Sequence, residues 1–356
     1  MLVRQGGFFQ QLKAWRSRIF RHGSQRMAGG LCALGIAHDE IILAINRRPN
    51  QFQLDELIVV PREKETPLSD ILSAVVEKYQ LEEMPCTLML QPHEYELFLL
   101  DNPPVKKSEF QSAIRWKILS LIHFPLDEAI IDHFQVPLQK THNPQQMIMV
   151  AVTRKNLLQA YSKAIKQSRL DLTAITIQEM GLRNATVLFD DDLKSTALIY
   201  LQDQGSEILI VNNKLLYFHR DLKLRLKEFE SLKDFTETSS HEVLDHLALD
   251  IQRSFDYYQA QWRKPLPARI YLIIANGVYP IEAMTRYLVK RLAIEVNAFD
   301  LRFAITIKQN IPSELINQYL AIIGAVLPQQ DIMMKSNDLN NPPESVHKES
   351  AHATAD

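Results

Sequence analysis

Glycine is scarce: 10 of 356 residues, against an average share near 7%. Five of the ten (Gly6, Gly7, Gly23, Gly29, Gly30) fall in the first thirty residues, so the rest of the chain holds only Gly35, Gly181, Gly205, Gly277 and Gly324. A phosphate loop needs bare backbone close to the ligand, and neither GxxxxGK[ST] nor GxGxxG occurs. P-loop and dinucleotide-fold chemistry are thereby excluded. Cysteine is equally sparse, with Cys32 and Cys86 alone. Two distant cysteines without nearby ligand-spaced partners make neither a disulfide framework nor a structural zinc site, and they suit a reducing compartment. No run approaches the roughly 18 apolar residues of a membrane span. The net charge of −2 gives no bulk attraction to nucleic acid.

What is present is unevenly distributed. Residues 1–26 carry Arg4, Lys13, Arg16, Arg18, Arg21 and Arg26 with no acidic residue, and Phe8, Leu12, Trp15 and Ile19 recur at helical spacing. This predicts a short basic amphipathic leader over residues 1–28, with Phe8, Trp15, Arg16, Arg18 and Arg21 suited to an anionic membrane surface. It lacks the apolar core and cleavage site of a signal peptide. Residues 329–356 contain no aromatic residue and are polar and proline-punctuated, which predicts disorder.

Between these tails the chain reads as two halves with one order of elements. Leu31 to Ala37, Glu40 to Arg47 and Leu54 to Val60 are strand-like, followed by a helix opened by Thr66-Pro67 and a strand from Thr87 to Gln91. The second half repeats this with Thr196 to Leu201, Ile208 to Val211 and Leu215 to Phe218, then a helix striped by Leu244, Leu247, Ile251, Phe255 and Tyr258, and a strand from Ile270 to Ile274. Pro280 to Leu292 and Ser313 to Val326 read as helices. The repetition predicts duplicated α/β domains around a cleft. Between the halves, a helix opened by the Ser108/Gln111 capping signature, strands near Ala129 to Val136 and Met147 to Val152, and a helix from Thr153 to Gln167 predict an inserted α+β subdomain. The expected divisions are 29–98, 99–172, 173–194 and 195–328.

Other catalytic patterns fail on spacing. His241 and His246 are five apart and cannot share a helical face as zinc requires, and no GxSxG elbow occurs. Asp127, Glu128 and Asp132 are expected to be turn and surface charges. Tyr257, Tyr258 and Trp262 are expected in a core stripe rather than on a base-stacking platform.

The stretch from Glu109 through Phe124-Pro125-Leu126-Asp127-Glu128 to Ile131-Asp132, then Met147 to Val152 and Leu170 to Arg183, resembles the type IV pilus assembly protein PilM family. Leu209 to Leu222, Leu249 to Ser254 and Leu320 to Leu327 resemble later motifs of that family, and the branch serving MSHA-type pili fits best. The resemblance implies an actin-like (ASKHA) fold with an inserted α+β subdomain of the FtsA/PilM type. It also implies ATP with Mg²⁺ between the halves, held by an Asp-x-Gly turn in each and a glycine pair near the adenosine. Here the first turn reads Ala37-His38-Asp39, with no acid where the metal-directing aspartate belongs and an anion in the glycine position. In the second, Leu201 takes the aspartate place, leaving Gly205-Ser206; a two-residue register shift would instead make Asp203-Gln204-Gly205 the Asp-x-Gly turn. The adenosine pair is reduced to Asn276-Gly277. We therefore expect no bound cofactor and a degenerate ATPase acting as a scaffold at the cytoplasmic face of a Gram-negative inner membrane. The resemblance implies a PilN-like bitopic partner, in a groove expected near Tyr95, Leu97, Leu99, Phe110 and Ile114. A working actin-like ATPase and a type II secretion L-type module are the alternatives, the latter disfavoured because that family continues into a membrane span.

Overall fold

The computed structural model describes residues 30–106, 108–136, 147–189, 194–203, 205–232, 242–275 and 279–328. The leader residues Phe8, Trp15, Arg16, Arg18 and Arg21, the polar tail and Asn276-Gly277 lie outside them. The first half begins with β1 (Leu31–Ile36), β2 (Glu40–Asn46), the short β3 (Gln53–Leu54), β4 (Glu56–Pro61), α1 (Leu68–Tyr79) and β5 (Pro85–Leu90). β1 and β5 are buried along all but their first residue because both of their faces are covered, whereas β4 at the edge alternates in burial. The insertion follows as β6 (Tyr95–Asp101), α2 (Phe110–Leu119), β7 (Ala129–Gln135) and β8 (Met147–Arg154). The chain then returns through α3 (Lys155–Gln167) and β9 (Asp171–Ile177) to α4 (Gln178–Val187).

The first sheet has the order β4-β2-β1-β5-β9; β2 is antiparallel to β1 and β4, and β5 is parallel to β1 and β9. The second half repeats that plan with β10 (Thr196–Leu201), β11 (Glu207–Asn212), β12 (Leu215–Asp221), α5 (Glu242–Trp262), β13 (Arg269–Ile274), α6 (Ile281–Leu292) and β14 (Glu295–Ala298). Its order is β12-β11-β10-β13-β14, with the same antiparallel and parallel pairs. The chain ends with β15 (Thr306–Ile307), paired to β3, and the helices α7 (Ser313–Gln318) and α8 (Leu320–Val326).

Each half lends its last helix to the other. α4 packs on β11 and β12, while α8 packs on β1, β2 and β5. All seven residues of α8 are buried, as expected of a helix that is apolar all round. The two helices cross with their backbones in contact at Gly181 and Gly324. A Cβ on Gly181 would stand 2.0 Å from the Ala321 carbonyl oxygen, and one on Gly324 would stand 2.0 Å from the Gly181 oxygen. Asn184 locks the crossing by donating to the Gly324 carbonyl at 3.0 Å.

The insertion is a three-stranded antiparallel layer, β6-β8-β7. One face forms a separate core with α2, from Ile114, Ile118, Ile131, Ile148, Val150 and Val152. α3 packs instead on α1 and β9 of the first half. The layer thus spans 95–154, narrower than the 99–172 the sequence suggests. Two local expectations also change. α2 starts at Phe110 after Glu109, with no side-chain cap from Ser108. The expected helix from Ser313 to Val326 is broken at Tyr319, whose φ/ψ of −108°/25° ends α7.

Candidate functional site

The cleft between the halves is where the two sheets and the crossed helices meet. It holds a cavity of about 160 Å³, bounded by Gly35, Ala37, Glu40 and Gln91 of the first half, Tyr200, Gln202, Asp203 and Ala275 of the second, and Gln178, Gln318 and Tyr319 from the helices. The described lining contains two carboxylates and no lysine or arginine.

The first turn is a tight hairpin closed on itself. Ala37 N–H donates to the Glu40 carbonyl at 2.9 Å, Arg62 N–H to the Asp39 carbonyl at 2.7 Å, and the Arg62 guanidinium to the Ala37 carbonyl at 2.9 Å. Its geometry turns His38 and Asp39 out to solvent. Asp39 thus does not line the cavity, whereas Glu40, the next residue, does, and the Tyr319 hydroxyl donates to both its carboxylate oxygens at 2.9 Å. In the second half Tyr200 pairs with Glu207 across β10 and β11, so the connection begins after Leu201 and ends before Glu207. That register keeps Leu201 on the strand and sets Asp203 in the loop, at the cavity wall. Gly205 adopts φ +139°, and Ser206 is fully buried. Tyr200 is buried, and its hydroxyl donates to the carbonyls of Asn317 (3.0 Å) and Gln318 (2.8 Å), satisfying orphan acceptors at the end of α7.

The five residues expected to line a partner groove are not brought together. In a strand, alternate residues share a face. Tyr95, Leu97 and Leu99 face the main core, whereas Phe110 and Ile114 pack on the opposite face of the β6-β8-β7 layer. Tyr95 is buried, and Leu97 and Leu99 are half-buried. Leu97, Ala151 and Asp132 lie in one cross-strand row, and Leu99, Met149 and Phe134 in the next. Asp132 is not a surface charge: its side chain is 12% exposed, and burial pushes its pKa up to about 6 against a hydrogen bond from the His133 main chain. In α5, Tyr258 and Trp262 are core as expected, but Tyr257 is 51% exposed.

A buried cluster beside the cleft was not anticipated from the sequence. Glu179 lies in the first turn of α4, Glu207 opens β11, and His219 lies on β12. His219 Nε2 stands 3.1 Å from Glu207 Oε2, 3.8 Å from Glu179 Oε1 and 3.7 Å from Oδ1 of the exposed Asp221. The Tyr95 hydroxyl donates to Glu179 Oε2 at 2.6 Å, and the Gln178 amide donates to Glu207 Oε1. Burial alone would lower the His219 pKa, but Glu179, Glu207 and Asp221 outweigh it and push it up to about 9. Burial raises that of Glu179 against the pull of His219, and burial raises that of Tyr95 far enough to keep its hydroxyl protonated. The available signal was a glutamate opening a wholly buried strand whose next four residues are apolar.

Two repeats of one strand order around a cleft, exchanged last helices and a three-stranded insertion define the actin-like α/β fold of the FtsA/PilM type. A chain in the structure of the PilM-PilN type IV pilus biogenesis complex is similar to this one over 85% of this chain and 98% of that chain, at a TM-score of 0.62 and 15% identity. The cytoplasmic domain of EpsL, an inner-membrane component of the type II secretion system of Vibrio cholerae, covers 84% of this chain and 95% of its own at a TM-score of 0.44 and 9% identity. A protein of actin-like ATPase fold from Bacteroides thetaiotaomicron covers 84% and 99% at 0.45 and 10%. No family model and no curated protein matches the sequence. Among the described residues no helix is long and apolar enough to cross a membrane.

Proposed function

We propose that this chain is a non-enzymatic scaffold for type IV pilus assembly, of the MSHA type and nearest in kind to MshI, working at the cytoplasmic face of the inner membrane. The observation that carries the reading is the cleft lining. A nucleotide brings several negative charges, and here it would meet Glu40 and Asp203 with no cationic side chain among the described lining residues. Repulsion in a partly desolvated site is poorly screened. The hairpin amide of Ala37 is already bonded within its own turn, and about 160 Å³ falls below the 300–1,000 Å³ typical of small-molecule sites. In this reading the described lining offers ATP no counter-charge of its own, and its two carboxylates would face the phosphates favourably only with Mg²⁺ between them.

The partner we propose is the short cytoplasmic segment of a PilN-like bitopic inner-membrane protein. The similar chain belongs to a PilM-PilN complex. In this chain, Leu97 and Leu99 offer half-buried apolar side chains on the edge strand β6, with Asp132 in the same row as Leu97. An extended segment could add main-chain hydrogen bonds at such an edge while its side chains use the apolar rows. The basic leader would hold the scaffold near the membrane and raise the effective concentration of that segment.

The test is capture of the full chain by immobilised N-terminal peptides of candidate bitopic proteins. We expect micromolar binding, weakened at least tenfold by Leu97→Lys and unchanged by Trp116→Ala, which alters an exposed residue of α2 outside both rows. Binding that ignores Leu97→Lys rejects this face as the docking site. In the same assay on anionic vesicles, a chain lacking residues 1–26 should lose recruitment; equal recruitment would reject the role given to the leader.

A further inference from the structure

We propose that Glu179, Glu207 and His219 form a binding site for one divalent cation of the zinc class, which clamps α4 of the first half to the second sheet. Their donor atoms, one imidazole nitrogen and two carboxylate oxygens, all lie within 4.8 Å of one another. A metal with ligands near 2.1 Å needs only small shifts to gather such a set.

The outer partners are arranged as they would be around a metal. Each carboxylate has one oxygen held by an outer donor, Tyr95 for Glu179 and Gln178 for Glu207, and presents its other oxygen to His219 Nε2. Such partners fix the direction of ligating groups. Asp221, 90% exposed with its carboxylate 3.7 Å from Nε2, marks the solvent side and could supply a fourth ligand.

Charge points the same way. Two buried carboxylates exceed the single positive charge a protonated His219 supplies, and the one N–H on Nε2 reaches only Glu207 at hydrogen-bond distance. A divalent ion with neutral imidazole balances both carboxylates, at the cost of the imidazole proton. The mixed nitrogen and oxygen set favours Zn²⁺ over the all-oxygen preference of Mg²⁺ and Ca²⁺.

The test is titration of the chelator-treated full chain with Zn²⁺ alone, and separately with Mg²⁺, read by calorimetry and by the bound metal per chain. We expect one Zn²⁺ per chain, proton release on binding, a raised unfolding temperature and no response to Mg²⁺. Glu207→Gln keeps the size of the side chain and removes a buried charge, so it should fold yet bind Zn²⁺ more than tenfold more weakly. Tyr95→Phe, which removes a positioning hydroxyl, should weaken binding by about tenfold. Absence of stoichiometric Zn²⁺ in the parent chain, or equal affinity in a folded Glu207→Gln chain, would overturn the proposal.

Discussion

Replacing Gly181 or Gly324 with alanine is expected to lower stability by roughly 3 kcal/mol or more, the upper end of what overpacking costs. The added Cβ would lie 2.0 Å from a main-chain oxygen in either case, and neither partner is a side chain that can rotate away. α4 and α8 would have to separate, and α8 is wedged against β1, β2 and β5. Alanine is favoured over glycine inside a helix by only about 1 kcal/mol, so the clash wins. Gly205→Ala is the contrast: a Cβ there meets nothing within 4 Å, and only the φ of +139° opposes it, a strain of about 1–3 kcal/mol with no clash added. Urea midpoints read the difference. Because both helix substitutions demand the same separation, the double variant should fall short of the sum. A Gly181→Ala chain as stable as its parent would show that the backbones do not touch.

His219→Ala is expected to cost about 3–5 kcal/mol in metal-free protein, because it leaves Glu179 and Glu207 buried without a cation. Their side chains are only 5% and 4% exposed. The same cluster sets a pH dependence. His219 rises from 6.5 to about 9 on folding, so its contribution is complete below about pH 6.5 and is lost as pH climbs through 9. Glu179, also raised, acts in the same direction, since the folded chain holds its proton longer. Thermal unfolding of chelated protein should therefore shift to lower temperature between pH 6.5 and 9, and the His219→Ala chain should shift less. A parent chain whose unfolding temperature rises over that interval would contradict the assignment.

The features legible in the sequence are those encoded locally. Central strands such as Leu31–Ile36 and Thr196–Leu201 announce themselves as apolar runs, and their repetition along the chain carried the duplicated plan. β14 did not, since Val296 is its only buried residue. Ala37 and Asp203 stand at the cavity wall while Asp39 turns outward, an orientation that is not legible in the sequence because a hairpin's reversal depends on its closing hydrogen bonds. Strand parity groups Tyr95, Leu97 and Leu99 correctly, yet parity alone does not say which face α2 covers. Contacts between distant segments left the faintest trace. Gly181 and Gly324 stand 143 positions apart, and each is an isolated glycine within a helical pattern, a hint of close packing that names no partner. Two glycines thus serve a helix crossing rather than a phosphate.

We propose that this actin-like cleft serves as architecture without nucleotide chemistry. Titrating the purified full chain with a fluorescent ATP analogue in the presence of Mg²⁺ tests it most directly. The cleft lining predicts no saturable binding up to millimolar concentrations; micromolar binding abolished by Asp203→Asn would contradict the account and restore the chain to the nucleotide-driven members of its fold.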